Sequence, residues 1–311
     1  MSSAVGATAP AAHYPILNII FRGNDIDGWM SAYLLAKMCP DFSIKFFPAC
    51  PQKPAEWPTR EELGDNITYV LAMRAAPDYD RTPVFMEIPN TTFSATYQVY
   101  YMFFPHFSPP EWVSLVNRIT NWSKPTIEDK ALREVLHPIA CMPLNNSVSE
   151  AISRTDRFIS NSFLPEKRQE LIGKGKDILA MKDEMLGNVF TRGRILTLDD
   201  SQVRAWNLPE SWLGRTVFLL NNTGIVIDSS LASSKVFSEN PGVDIFINYR
   251  AFETVNPQSG NISVEYVFNA RARNTADTGI NLTENGIFTG HPCSAGARYK
   301  SSLECVVPFI S

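Results

Sequence analysis

A continuous apolar run, Pro15–Phe21 (PILNIIF), ends in a turn that carries two carboxylates, and an apolar periodic segment follows at once. The run has the length and β-branched content of a buried strand. Trp29, Met30, Ala32, Tyr33, Leu34 and Ala36 follow at helical spacing. A buried strand feeding directly into a helix restricts the chain to α/β architecture. It also puts the turn at the carboxyl end of a strand, where open α/β sheets bind their ligands. Asp25 and Asp27 stand there one residue apart, with Gly23 and Gly28 relaxing the backbone around them. Such a pair suits a divalent cation such as Mg²⁺ or Mn²⁺. Either aspartate equally suits the N-cap of the following helix.

Further strands are predicted at Ser43–Phe47, Asn66–Ala72 and Thr82–Ile88. Strands alternating with helical segments at this spacing point to βαβ units and a largely parallel sheet flanked by helices. The aromatic stretch Phe93–Phe104 (FSATYQVYYMFF) reads as a packed helix whose rings belong to the core rather than to a base-stacking platform. Pro109–Trp122 and Ile127–Leu136 read as amphipathic helices.

Between about Asn145 and Pro165 the sequence turns polar, and Glu166–Leu186 then repeats apolar pairs at heptad spacing, as a connecting helix would. From Val189 onward the character changes to short strands at Arg194–Leu198, Arg215–Leu220, Val243–Tyr249 and Ile262–Asn269, with a helix at Ser229–Phe237. The expected organisation is a flexible arm over 1–13, an α/β domain over 14–150, a linker and connecting helix over 151–190, and a smaller α+β domain over 191–311.

Composition narrows the function classes. The 311 residues carry a net charge of −4 and the pI is about 5.7, which disfavours tight non-specific binding to duplex nucleic acid. Five cysteines stand without a CxxC pair, so neither a zinc site nor a disulfide framework is indicated, and a reducing, intracellular compartment is expected. No apolar run reaches the ~20 residues of a membrane span.

A second chemical cluster lies near the end. Arg271 and Arg273, two apart on one strand face, can meet a phosphate. The segment Gly286–Arg298 (GIFTGHPCSAGAR) supplies a glycine turn at Gly290 whose N–H groups can approach an anion, His291 as a donor, a helix start near Pro292, and Arg298. Two solvated arginines beside a turn that merely needs glycine account for the same residues.

Taken together, these motifs resemble the Asp-His-His (DHH) phosphoesterase superfamily with its DHH-associated C-terminal domain. They are the strand-ending Asp25-Ile-Asp27-Gly28, a helix containing Ser31-Ala32, the Arg271-Ala-Arg273 strand and the turn Gly290-His-Pro-Cys-Ser-Ala-Gly296. The resemblance runs from Tyr14 to Arg298. It implies two Mn²⁺ ions in the first domain, a metal-activated water directed at a phosphodiester, and an oligonucleotide or cyclic dinucleotide held by the second domain.

Matched position by position, the family's two aspartates fall on Asp25 and Asp27. Its leading histidine falls on Arg22, its second-strand aspartate on Ala72, and its Asp-His-His signature on Glu87-Ile88-Pro89. Its last aspartate belongs within Asn117–Asn121, which holds no acid. The residual metal candidates are therefore Asp25, Asp27 and Glu87, and Arg22 sets a fixed positive charge where the cations would lie.

The expected function is a degenerate, non-catalytic phosphoesterase-like protein with a binding or structural role, as a subunit among other proteins, with no cofactor, or Mn²⁺ or Mg²⁺ if the metal site is retained. Two alternatives remain open. One is a Mn²⁺-dependent phosphodiesterase acting on short oligonucleotides or a nucleotide signal. The other is a nucleotide or single-strand RNA-binding module built on Arg271, Arg273, Gly290, His291 and Arg298.

Overall fold

The structure, a computed structural model, describes residues 14–301 except 52, 76, 122–124, 206–207, 225–226, 256–261, 274–278, 285, 287 and 292. The arm expected over 1–13 lies outside the described residues. The chain forms two compact units divided between Ala180 and Met181.

The first unit is built on strands β1 (Ile16–Arg22), β2 (Ser43–Ala49), β3 (Ile67–Leu71) and β4 (Phe85–Ile88), arranged β2-β1-β3-β4 with every pair parallel. A parallel sheet must be covered on both faces, and β1 shows why this sequence suits it. Leu17, Ile19 and Phe21 enter one core. Ile20 joins Val70, Leu63, Trp57 and Met73 in another. Because side chains alternate along a strand, these two cores occupy opposite faces of the sheet.

Helices α1 (Ile26–Met38), α3 (Ala95–Phe103), α4 (Glu111–Thr120), α5 (Ile127–Cys141), α6 (Val148–Ser162) and the first half of α7 (Pro165–Phe190) contribute to the first core, whereas the one-turn helix α2 (Arg60–Leu63) sits on the second.

Two expectations are corrected here. The polar stretch around 145–165, read as linker, is largely α6, whose Ala151, Thr155 and Phe158 are buried. Its polarity misleads because α6 docks partly through hydrogen bonds: Trp29 Nε1 donates to Thr155 Oγ1 at 2.9 Å, and Tyr33 OH donates to Asp156 Oδ1 at 2.6 Å. The second correction concerns α3, which buries its small face, Ala95, Thr96 and Val99. Its aromatics are divided: Phe93 on its approach, Phe103 within it and Phe107 beyond it are exposed, as is Met102, whereas Tyr97 and Tyr100 are half-buried and pack against the first core. The rings also contact one another: Phe93 stacks on Tyr97 at 5.0 Å, and Tyr97 lies 4.9 Å from Tyr101.

The second unit contains β5 (Gly193–Thr197), α8 (Asp200–Ala205), β6 (Thr216–Asn221), α9 (Ser229–Glu239), β7 (Ile245–Val255), β8 (Ile262–Ala272), β9 (Thr289–His291) and β10 (Ser294–Ser301). Its mixed sheet runs β5-β6-β7-β8-β10-β9, with only β6 and β7 parallel. Trp212 stacks on Phe288 at 6.1 Å, and both are fully buried with Phe268. The helix expected near Pro292 is instead the antiparallel β9–β10 pair, in which Ser294 lies opposite His291. Gly290 is required there: its φ is 141°, and a Cβ would fall 2.8 Å from the Ser294 carbonyl oxygen.

Candidate functional site

The turn after β1 is shaped by close approach of backbone to backbone. A Cβ on Gly28 would lie 2.1 Å from the Arg22 carbonyl oxygen, so glycine alone lets α1 start this tightly against β1. Asn24 adopts φ 57°, and its Oδ1 accepts from the Cys141 thiol at 2.8 Å. Burial pushes that thiol's pKa up, which keeps it a donor.

Both aspartates of the turn end as helix caps. Asp25 is the N-cap of α1, accepting from Gly28 N at 2.9 Å, and its second oxygen stands 3.9 Å from Arg22 Nε. Asp27 crosses to a different helix. Its Oδ2 accepts from Ala95 N at 2.7 Å, and its Oδ1 accepts from Thr96 N at 2.8 Å and Thr96 Oγ1 at 2.6 Å. Only 1% of Asp27 is exposed, and burial pushes its pKa up to about 6 against these donors, which favour the ionised form.

Glu87 lies elsewhere. Val70 is level with Glu87 on one side and with Ile20 on the other, so Glu87 sits two strands from β1 and short of its carboxyl end. At a strand spacing near 4.8 Å that is about 10 Å across the sheet. Ile88 faces the core beneath α1 and α3, so its neighbour Glu87 projects from the opposite face. There it accepts from Ala75 N at 3.3 Å and Arg81 at 3.2 Å.

The three candidate metal ligands are thus not brought together. Among the described residues no group of three or more His, Cys, Asp or Glu side chains could hold a metal ion. A two-metal centre needs a cluster of such donors around both ions, and these residues do not fit one.

The four strands do converge on a hollow of about 330 Å³. Arg22 ends β1, Pro51 follows β2, Ala72, Met73 and Arg74 follow β3, and Pro89 and Asn90 follow β4. Since β1 lies between β2 and β3, the hollow sits at the point where the strand order reverses, the place where sheets of this kind take ligands. Ala72, where the family resemblance puts an aspartate, holds φ 61°, an unusual conformation for a residue with a Cβ.

Sequence reading met Arg22 only as an obstacle to a metal and missed Arg74 and Asn90. No motif flags those two. Only the register of β1, β3 and β4 brings them beside Arg22.

In the second unit Arg273 is committed to structure. Its guanidinium donates to the carbonyls of Val243 at 2.8 Å and of Phe237 and Asn240 at 2.9 Å, and lies 4.9 Å over the Phe237 ring. It therefore closes the C-terminal end of α9. Arg271 is half-buried on β8, and burial is the main cause that lowers its pKa. Gly290 and His291 lie on β9 and Arg298 on β10, while the side chains of His291 and Arg298 are outside the described set.

No family model matches the chain, and no curated protein matches it in sequence. Among solved structures it is similar to a pGpG-specific phosphodiesterase, PggH, from Vibrio cholerae, at 12% identity and a TM-score of 0.46, covering 92% of this chain and 93% of that one. An exopolyphosphatase-related protein from Bacteroides fragilis matches at 11% identity and a TM-score of 0.38, covering 94% of this chain and 88% of the other. RecJ in complex with Mn²⁺ from Thermus thermophilus matches at 9% identity and 0.42, covering 91% of this chain and 49% of RecJ. These proteins belong to the DHH superfamily that the motifs resemble, and identity this low transfers neither an activity nor a ligand.

Proposed function

We propose that this chain is a non-catalytic, phosphoesterase-like protein that keeps a two-unit scaffold for binding or assembly. The observation that carries the reading is the state of Asp27. A bridging metal ligand must offer free oxygen lone pairs to a cation, whereas both Asp27 oxygens accept from the first turn of α3 and the side chain is sealed from solvent. With Ala72 at the adjacent strand end and Glu87 on the other face of the sheet, no set of donors among the described residues completes a site around it. The exposed apolar side chains on and beside α3, Phe93, Met102, Phe103 and Phe107, support a role beside other protein subunits.

The test is turnover of a 5′-phosphorylated dinucleotide and of bis(p-nitrophenyl) phosphate by the purified full chain in Mn²⁺ or Mg²⁺. The expected rate equals that of buffer. Metal-dependent hydrolysis that disappears in Asp25→Ala would overturn the proposal.

A further inference from the structure

The hollow at the strand ends differs from a metal centre in the sign of what lines it. A pair of divalent cations needs carboxylates, yet the ionisable side chains around this hollow are two guanidiniums, Arg22 and Arg74. Arg74 is exposed and has no hydrogen-bond or ion-pair partner among the described residues. Arg22 meets Asp25 only at 3.9 Å through Nε, and Asp25 is already held as the α1 cap. Two cationic forks on one small cavity attract an anion strongly, because guanidinium geometry matches phosphate oxygens in a bidentate fashion.

Neutral donors add to them. Asn90 is oriented by Ala95 N, which donates to its Oδ1 at 3.1 Å, and this leaves the Asn90 amide nitrogen as a donor without an acceptor among the described residues. The left-handed turn at Ala72 carries the chain out of the β-ladder. The backbone N–H groups of Met73 and Arg74 that follow likewise have no acceptor among the described residues. Backbone amides beyond a left-handed residue are a recurring element of anion-binding concavities.

We propose that this hollow binds a phosphate-type oxyanion directly, without a metal ion, through Arg22, Arg74, Asn90 and the amides after Ala72. Its volume of about 330 Å³ suits a phosphorylated small molecule. The assignment rests on the non-catalytic reading above, with Arg22 setting a fixed positive charge at the position where the family resemblance puts a metal-ligating histidine.

The experiment is isothermal titration of the full chain in EDTA with inorganic phosphate, AMP and adenosine. Phosphate and AMP are expected to bind saturably and adenosine not to bind. Arg74→Ala and Arg22→Ala should each weaken binding roughly tenfold or more, and added salt should weaken it further. Because Arg74 is exposed and unpartnered, its variant will fold as the parent does. AMP binding more tightly than phosphate identifies a phosphomonoester metabolite as the ligand, and equal affinities identify the phosphate group alone.

Absence of saturable binding at millimolar phosphate, or affinities unchanged in both arginine variants, overturns the assignment. If no hydrolysis is seen either, the non-catalytic reading stands without it. Binding that needs Mn²⁺ and leads to hydrolysis overturns both.

Discussion

The carboxylate of Asp27 holds the amide and hydroxyl of Thr96 at 2.8 and 2.6 Å, joining the first turn of α1 to the first turn of α3 across 69 residues of sequence. One buried acid therefore satisfies donors at the N-terminus of a helix whose own N-cap, Ser94, covers only Tyr97 N.

Asp27→Ala is expected to destabilise the protein by about 2–4 kcal/mol, since it removes a cap and strands the Thr96 amide in the interior, leaving Ala95 N only its longer bond to Asn90. Urea unfolding of the full chain measures it. In a double-mutant cycle with Thr96→Val the two losses should be less than additive, because the hydroxyl and the carboxylate serve the same contact. Strict additivity would mean that the contact contributes nothing of its own.

The pH dependence follows from the same residue. Burial raises the folded pKa of Asp27 from 3.8 to about 6, so below pH 4 both folded and unfolded states hold the proton. Between pH 4 and 6 the unfolded chain ionises first, and this group's contribution to stability falls as pH rises through the folded value. About 2 pH units at about 1.36 kcal/mol each makes the loss of order 3 kcal/mol. Stability of the parent minus that of Asp27→Asn, measured at pH 4, 5, 6 and 7, should decline across this range and level off above it. A flat difference would contradict the shift.

Arg273→Ala should destabilise the second unit by about 2–4 kcal/mol, since three carbonyls around the end of α9 lose a charged donor. Arg273→Lys should recover only part of this, because one ammonium cannot span the same carbonyls. Neither substitution should alter phosphate affinity. A loss of phosphate binding with unchanged melting would return Arg273 to a ligand site.

Much of the architecture was legible because its signals are local. Pro15–Phe21 could be read as a buried strand since both of its faces are apolar, and both faces are in fact buried. The heptad pairs in 166–186 announced α7 for the same reason. Where the reading erred, local chemistry pointed one way and packing decided another. The aromatics of α3 looked like core, but only Tyr97 and Tyr100 pack against it, while Phe93 and Phe103 are exposed and the small residues Ala95 and Thr96 are the buried ones, where Asp27 reaches their amides. The polar segment now seen as α6 docks through Thr155 and Asp156, contacts that exist only once α1 is beside it.

The candidate site divides in the same way. By itself the sequence determined the strand-turn-helix at Phe21–Leu35, the absence of imidazoles at the matched positions, and the charge of Arg22. Those properties belong to individual residues and their immediate neighbours. Only the tertiary structure decided that Asp27 caps α3 rather than its own helix, that Glu87 projects from the other face of the sheet, and that Arg74 and Asn90 stand beside Arg22. Each of these depends on strand order and register, which bring residues some 50 to 70 positions apart to one sheet end, and no local pattern in the chain encodes that meeting.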